Sequence, residues 1–321
     1  SELMTPEAPR LHQLLHKMQL ASQNRAVVEV SAQALTRARV EGLRFQVAGF
    51  TNLSRDHLDD YGDMDSYLEA KQALFTSQYS DRAVVVCEDE WGKKLFEQIE
   101  IPKVGIGDHL DYQLELLPKG FRISGSAEVV TGVEVAGPMA KNLALATILA
   151  IEAGFDPTEV QNALESIELS IPGRLEAVDA AGNVFVDYAH TPAGVAASVQ
   201  HLLSTRGELV VVLGASGNRD KGKRAEMARA CSGALRLYVT DQHPRDEDPA
   251  AIRTALMSAA LEVGLDAVEV ADPAEAISQA IGYASGGAVL WCGPGALGYR
   301  EIAGKKVPFD ARKIAREVAD S

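Results

Sequence analysis

The segment Thr51-Asn52-Leu53-Ser54-Arg55-Asp56-His57-Leu58-Asp59, with Lys71 a short way beyond it, combines side chains that bind cations with a lysine in an apolar setting. Around that lysine Tyr67, Leu68, Leu74 and Phe75 recur at helical spacing, and Asp65 is suited to an N-cap. The spacing therefore predicts a helix over 65–78 with Lys71 on its apolar stripe. An ammonium is costly there, and burial lowers the pKa of the amine and makes it more nucleophilic. Carbamoylation by carbon dioxide would turn the cation into an anionic oxygen ligand; a lysine snorkelling from the helix flank is the plainer alternative. Glu29 closes an apolar run over 26–30, expected as a strand, where a carboxylate is costly unless paired or on metal. With His57 and a carbamoylated Lys71 it would offer oxygen and nitrogen donors to a divalent cation, and hard oxygen ligands favour Mg2+.

The elements that must position these groups alternate. A helix is expected over 8–22, strands over 26–30 and 45–50, the Lys71 helix, and a strand over 83–87, which implies a mostly parallel sheet. Short alternating runs over 112–135 predict an antiparallel flap, and a helix pair over 142–167 follows. The Pro172-Gly173-Arg174 turn breaks the helical period, so the domain boundary is placed there, giving domains 1–171 and 172–321. Strands expected over 184–186, 209–213, 235–240, 267–270 and 289–292, separated by helices, describe a Rossmann-like doubly wound sheet. Asp187, His190, Arg219, Asp241, His243, Arg245 and Gly293 all follow its strand ends.

Composition sets outer limits. The 321 residues suffice for two ordinary domains, and 46% hydrophobic content with interspersed charge fits a globular chain with no stretch long enough to span a membrane. A formal charge of −14 argues against a nucleic-acid partner, although a local basic loop can still hold phosphate. Cys87, Cys231 and Cys292 are far apart in apolar runs and lack zinc spacing, which predicts buried thiols in a reducing compartment. Ser1-Glu2-Leu3-Met4 has no leader character, so the expected location is the cytoplasm. The expected state is a monomer. Gly217 to Arg224 has the glycine and lysine spacing of a P-loop, but Arg224 stands where Ser or Thr must hold magnesium, so it is not one.

Taken in order, Glu29-Val30-Ser31, Thr51 to Phe75, Pro172-Gly173-Arg174-Leu175-Glu176, Asp187-Tyr188-Ala189-His190-Thr191-Pro192 and Asn218 to Arg224 resemble the signature of the Mur ligases, and among them the MurE type. The resemblance implies a partial central ATPase domain followed by the Rossmann-like domain. It implies a second Mg2+ on Glu29, His57 and carbamoylated Lys71. It assigns Asn52, Arg55, Asn142, Arg174, Asp187 and His190 to the nucleotide, with Asp187 on the ribose hydroxyls. Thr5, Ser31, Arg37 and Arg39 match positions that bind UDP-MurNAc-dipeptide. Arg219, Gln242, His243, Arg245 and Gly293 match those near the incoming free amino acid.

The pattern also departs from the family. Met4, Arg37, Ala32 and Gln33 replace its usual residues, and one of two asparagines near the adenine survives as Asn142. Gln242 and His243 replace an Asp-Asn pair, and Leu297 removes a carboxylate that usually meets the incoming amino acid. Capping, solvated charge, a hinge salt bridge at Arg174 and Asp187, or a backbone-satisfied His190 are the plainer roles for these residues. The implied activity is ATP-dependent, Mg2+-dependent peptide bond formation through an acyl phosphate, adding an amino acid to UDP-MurNAc-L-Ala-D-Glu in peptidoglycan synthesis. No Gly-x-x-x-x-Gly-Lys-Ser/Thr is present, so the chain is expected to be a fragment with little turnover of its own. A scaffold paralogue, or another amide ligase of the superfamily, is the rival reading.

Overall fold

A computed structural model describes residues 3–117, 119–133, 135, 137–167 and 169–321. Ser1 and Glu2 of the N-terminal stretch, and Pro118 and Glu134 of the expected flap, lie outside them. The chain folds as two compact units. One holds Ser1–Leu53, Asp60–Val135 and Met139–Ile167; the other holds Ser54–Asp59, Ala136–Pro138 and Glu168–Ser321.

Helices and strands run in the order α1 (Ala8–Leu20), α2 (Ala32–Thr36), β1 (Ala48–Phe50), α3 (Leu58–Tyr61), α4 (Met64–Gln72), β2 (Ala83–Val86), α5 (Glu90–Gln98), β3 (Lys103–Ile106), β4 (Tyr112–Leu116), β5 (Phe121–Gly125), β6 (Val129–Thr131), α6 (Gly137–Glu152) and α7 (Pro157–Ser166). The sheet order is β1-β2-β3-β4-β5-β6. Its first four strands pair in parallel, and β4-β5-β6 form the expected antiparallel meander. Valine-rich β2 is buried on both faces, as a parallel strand covered by helices must be. Ala83 and Val85 face Leu68, Phe75 and Leu95, whereas Val84 and Val86 face Ala144, Leu145 and Ile148 of α6.

Four expectations for this unit need correction. Residues 26–30 form no strand: Val28 and Val30 are half-buried against the cluster of Leu11, Val40 and Tyr79, while Glu29 between them is exposed. Their apolar character reflects packing of an extended segment, not ladder pairing. The Lys71 helix is capped by Asp63, whose carboxylate accepts from the Ser66 N–H at 2.7 Å, so Asp65 sits in the first turn instead. That helix ends at Gln72 and tightens into a 3₁₀ turn, Ala73–Phe75, and the first helix of the pair begins at Gly137.

The second unit continues with β7 (Glu176–Ala177), β8 (Val184–Asp187), α8 (Pro192–Arg206), β9 (Leu209–Leu213), α9 (Gly222–Arg229), β10 (Arg236–Val239), α10 (Pro249–Glu262), β11 (Ala267–Glu269), α11 (Pro273–Ala284), β12 (Ala288–Cys292), the hairpin β13 (Tyr299–Ile302) and β14 (Lys305–Pro308), and α12 (Ala311–Ala319). Strand order is β11-β10-β9-β12-β8-β7, parallel except at edge strand β7. Val211, Leu213 and Leu290 pack on Val199, Met227 and Leu256 on one face; Val210, Val212 and Trp291 pack on Ile277, Ala280 and Ala315 on the other. Winding reverses between β9 and β12, so the loops after these strands border the crevice where such sheets take ligands. Asp248, Asp272 and Thr191 cap α10, α11 and α8, each with proline in the first turn.

Candidate functional site

In the second unit the strand-end loops converge on a buried carboxylate. Asp56 Oδ1 accepts from the Lys223 ammonium at 2.7 Å, its Oδ2 lies 3.3 Å from His190 Nε2, and His57 Nε2 is 3.6 Å away. Lys223 is 4% exposed and Asp56 9%. Burial opposes ionisation of Asp56, but the hydrogen bond from His190 and the nearby ammonium outweigh it and hold the carboxyl well below the usual range. His190 is oriented from its other side, with Nδ1 2.8 Å from the Tyr188 carbonyl. His57 sits at φ 56°, an uncommon backbone for a non-glycine residue.

Of the basic groups of 217–224, Lys223 and Arg224 are buried beside this centre, Arg219 is half-buried and Lys221 is exposed. Arg55 spans Asp220 (2.8 and 3.3 Å) and Glu226 (2.7 Å), and Arg219 donates to Asp59 at 3.1 Å. Arg224 forks onto Glu247 at 2.8 and 2.7 Å and reaches the Ser216 carbonyl, and this donor pulls Glu247 down to about 2. Arg55 and Arg219 thus carry carboxylate partners.

At the end of β8, Asp187 is buried and accepts from the Ser198 hydroxyl, while its carbonyl accepts from Gly293 and Gly295 at 2.8 and 3.2 Å. Arg174 lies over the Tyr188 ring at 4.6 Å. Gly293 adopts φ 109°, a backbone region that favours glycine, and a Cβ there would come within 2.4 Å of the Gln242 side-chain amide.

The loop after β10 forms the second arm. Gln242 and His243 are buried; His243 Nδ1 accepts from the Glu301 N–H at 3.0 Å, which fixes the acceptor nitrogen. Burial, assisted by Arg245 and Arg300, lowers the His243 imidazole to about 4, so it is neutral at pH 7. Because the unfolded imidazole titrates at about 6.5, this lowered value contributes stability that is complete above that pH and declines as pH falls toward 4. NMR titration is expected to show the His243 ring unchanged between pH 8 and 5; a midpoint near 6.5 would contradict its burial. Arg245 pairs with Glu301 at 3.3 Å. Asp241 accepts from Arg253 and lies 3.9 Å from Arg300.

In the first unit Lys71 occupies the last turn of α4, half-buried, with its amine 5.1 Å above the Tyr67 ring. Burial lowers its pKa and the Glu29 carboxylate opposes that shift. Thr5 is buried: its hydroxyl donates to the Glu29 carbonyl at 2.6 Å and accepts from the Ser31 N–H at 3.1 Å, while Ser31 caps α2. Arg39 is buried against Glu7 at 2.9 Å, whereas Arg37, Asn52 and Asn142 are exposed. Thr5, Ser31 and Arg39 therefore have structural duties in this fold. A cavity of about 550 Å³ opens beside the ends of β2 and β3, lined among others by Cys87, Glu88, Phe96, Asp108 and Lys141. Among the described residues, no helix is long and apolar enough to cross a membrane, and no three His, Cys, Asp or Glu side chains group as metal ligands. The three cysteines are buried and free, and burial pushes the Cys87 thiol up to about 11 and Cys231 to about 12.

In the sequence Asp56 and Lys223 stand out only as members of their motifs, without a role of their own, and Ser198 and Arg300 do not stand out at all. The available signal was charge alternation: a lysine and arginine in a helix start, facing an acid-rich loop, must find partners once buried.

A mostly parallel sheet unit followed by a Rossmann-like unit, with charged groups gathered at strand ends, defines an α/β architecture suited to nucleotide and small-molecule chemistry. The Mur ligase middle domain matches residues 1–119, and the Mur ligase glutamate ligase domain matches 173–295. A UDP-N-acetylmuramyl-tripeptide synthetase of Leifsonia xyli subsp. xyli is 43% identical over 338 residues, covering 98% of this chain and 66% of that protein. A UDP-N-acetylmuramoyl-L-alanyl-D-glutamate--2,6-diaminopimelate ligase of Syntrophomonas wolfei subsp. wolfei is 34% identical, covering 98% and 68%. The solved structure of a ligase with this second name superposes with a TM-score of 0.59 at 28% identity, covering 98% of this chain and 68% of that one. A pseudomurein peptide ligase type C from Methanothermus fervidus shares the fold, with a TM-score of 0.66 at 16% identity over 91% of this chain and 66% of that one. The chain belongs to the Mur ligase family. It spans about two thirds of the length of the curated relatives it matches.

Proposed function

We propose that this chain supplies the central and C-terminal parts, 1–171 and 172–321, of an ATP-dependent ligase that adds an amino acid to UDP-MurNAc-L-Ala-D-Glu in peptidoglycan synthesis. The carrying observation is the 43% identity with a tripeptide synthetase over 98% of the chain. In this reading ATP phosphorylates the dipeptide carboxylate, the incoming amine attacks the acyl phosphate, and ADP and phosphate leave.

Glu29 and a carbamoylated Lys71 fit an oxygen-preferring cation: one is an exposed carboxylate, the other a half-buried amine whose pKa is lowered and on which Glu29 acts. His57 as nitrogen donor rests on sequence alone. Mg2+ bound there would neutralise developing phosphate charge. Asn52, Arg55, Asn142, Arg174, Asp187 and His190 are assigned to the nucleotide; Asn142 follows Lys141, which lines the large cavity. Thr5, Ser31, Arg37 and Arg39 are assigned to the nucleotide-sugar dipeptide. Arg219, Gln242, His243, Arg245 and Gly293 are assigned to the amino acid.

The protein at its natural length, given ATP, Mg2+, UDP-MurNAc-L-Ala-D-Glu and a mixture of amino acids, should release ADP in step with a tripeptide product seen by mass spectrometry. ADP release without a new amide, or neither, would reject the reading.

A further inference from the structure

We infer that the amino acid taken by the second unit has a short side chain without a second amino group, so that long diamino acids are poor substrates. This rests on the proposed function and concerns the cavity behind the loops after β10 and β12. That cavity is about 10 Å³ and is lined among others by Asp241, His243, Trp291, Leu297, Arg300 and Phe309. Such a volume admits about one water-sized group. It suits a hydrogen or methyl substituent, and a chain of four methylenes capped by an ammonium would have to displace Trp291 or Phe309, which pack edge-to-face at 5.9 Å.

Charge points the same way. Asp241 is the cavity's carboxylate, and it is engaged by Arg253 and faced by Arg300 at 3.9 Å. Arg300 in turn donates to the Gln242 carbonyl at 2.7 Å. Glu301, next in the chain, pairs with Arg245 at 3.3 Å. The His243 ring is neutral and its Nδ1 already accepts a backbone N–H. An entering ammonium would lose its hydration beside the Arg300 guanidinium and find Asp241, the carboxylate lining the cavity, already engaged by Arg253. Leu297 closes the cavity with a hydrocarbon surface. An uncharged, short substituent meets none of these penalties.

The test uses the protein at its natural length with ATP, Mg2+ and UDP-MurNAc-L-Ala-D-Glu, offered glycine, L-alanine, L-serine, L-homoserine, L-2,4-diaminobutyrate, L-ornithine, L-lysine or meso-diaminopimelate singly. Expected is a kcat/KM at least tenfold higher for the best uncharged short amino acid than for any diamino acid. Preference for a diamino acid would overturn the inference while leaving the ligase reading intact; no product with any amine would reject that reading and this inference with it. Half-buried Leu297 offers a second measurement. Leu297→Glu should raise relative turnover of the diamino acids, and an unchanged ranking in a folded variant would count against the cavity as the selector.

Discussion

Replacing Asp56 with alanine is expected to lower the free energy of unfolding by about 3–5 kcal/mol, the usual consequence of leaving a buried partner charge without its counter-ion. The carboxylate is met by the Lys223 ammonium at 2.7 Å and by His190 at 3.3 Å, and Lys223 is 4% exposed, so no solvent is at hand to replace it. Urea unfolding followed by tryptophan fluorescence or circular dichroism measures the effect. The double variant Asp56→Asn with Lys223→Met should recover most of the loss, because a neutral pair carries no stranded charge. A single-variant cost under about 1 kcal/mol would place Asp56 among ordinary surface ion pairs. Acid supplies an independent check with a fixed sign. The folded carboxyl is held below its unfolded value of about 3.9, so its contribution is present above that pH and is lost as pH falls through the lower folded value. Below about pH 4 the stability of the native chain should fall more steeply than that of Asp56→Asn.

The same cluster shows where the sequence is readable and where it is not. Strands β8 to β12 were legible because each is an apolar run bounded by helices with Asp or Thr caps and first-turn prolines, signals that are local. Segment 26–30 was misread because Val28 and Val30 look alike whether they face a sheet neighbour or a helix, and only the tertiary partner decides. Asp63 and Asp65 are both good caps by composition; the extended backbone at Asp63, φ −139°, selects it. Among site residues, the strand-end rule located Asp187, His190 and the 242–245 loop, since topology alone sends loops to that edge. It could not foresee that Arg55 would be spanned by Asp220 and Glu226, or that Lys223 would meet Asp56, because those pairs are more than 160 residues apart in the chain. Ion-pair partners at that separation are set by packing, and composition offers several candidates for each.

Lys71 carries the other large expected effect. Lys71→Met should keep the fold, because a methionine can occupy the half-buried place above Tyr67. On the proposed function, and in the protein at its natural length, it should nevertheless cut ligation of the amino acid by on the order of 10²–10³-fold, the range seen when one electrostatic stabiliser of a transition state is removed. Glu29 is the acid that acts on this amine. As an ammonium, Lys71 is attracted by that carboxylate, while burial pulls its pKa down and exposes more free amine to carbon dioxide. Carbamoylation forms an N–C bond, releases a proton and replaces the attraction with repulsion between two anions. On the proposed function a cation held by both groups would offset that repulsion, so carbamoylation and Mg2+ binding should depend on one another. With carbon-13 bicarbonate, the native protein should show a carbamate carbonyl resonance that grows on adding Mg2+ and fades with chelator, and Lys71→Met should lack it. Glu29→Gln separates the two roles of the acid. It removes the repulsion, so the resonance should become less dependent on Mg2+ while ligation still drops. A resonance indifferent to Mg2+ in both proteins, or full ligation by Lys71→Met, would leave the lysine as a helix-flank cation resting on an aromatic ring.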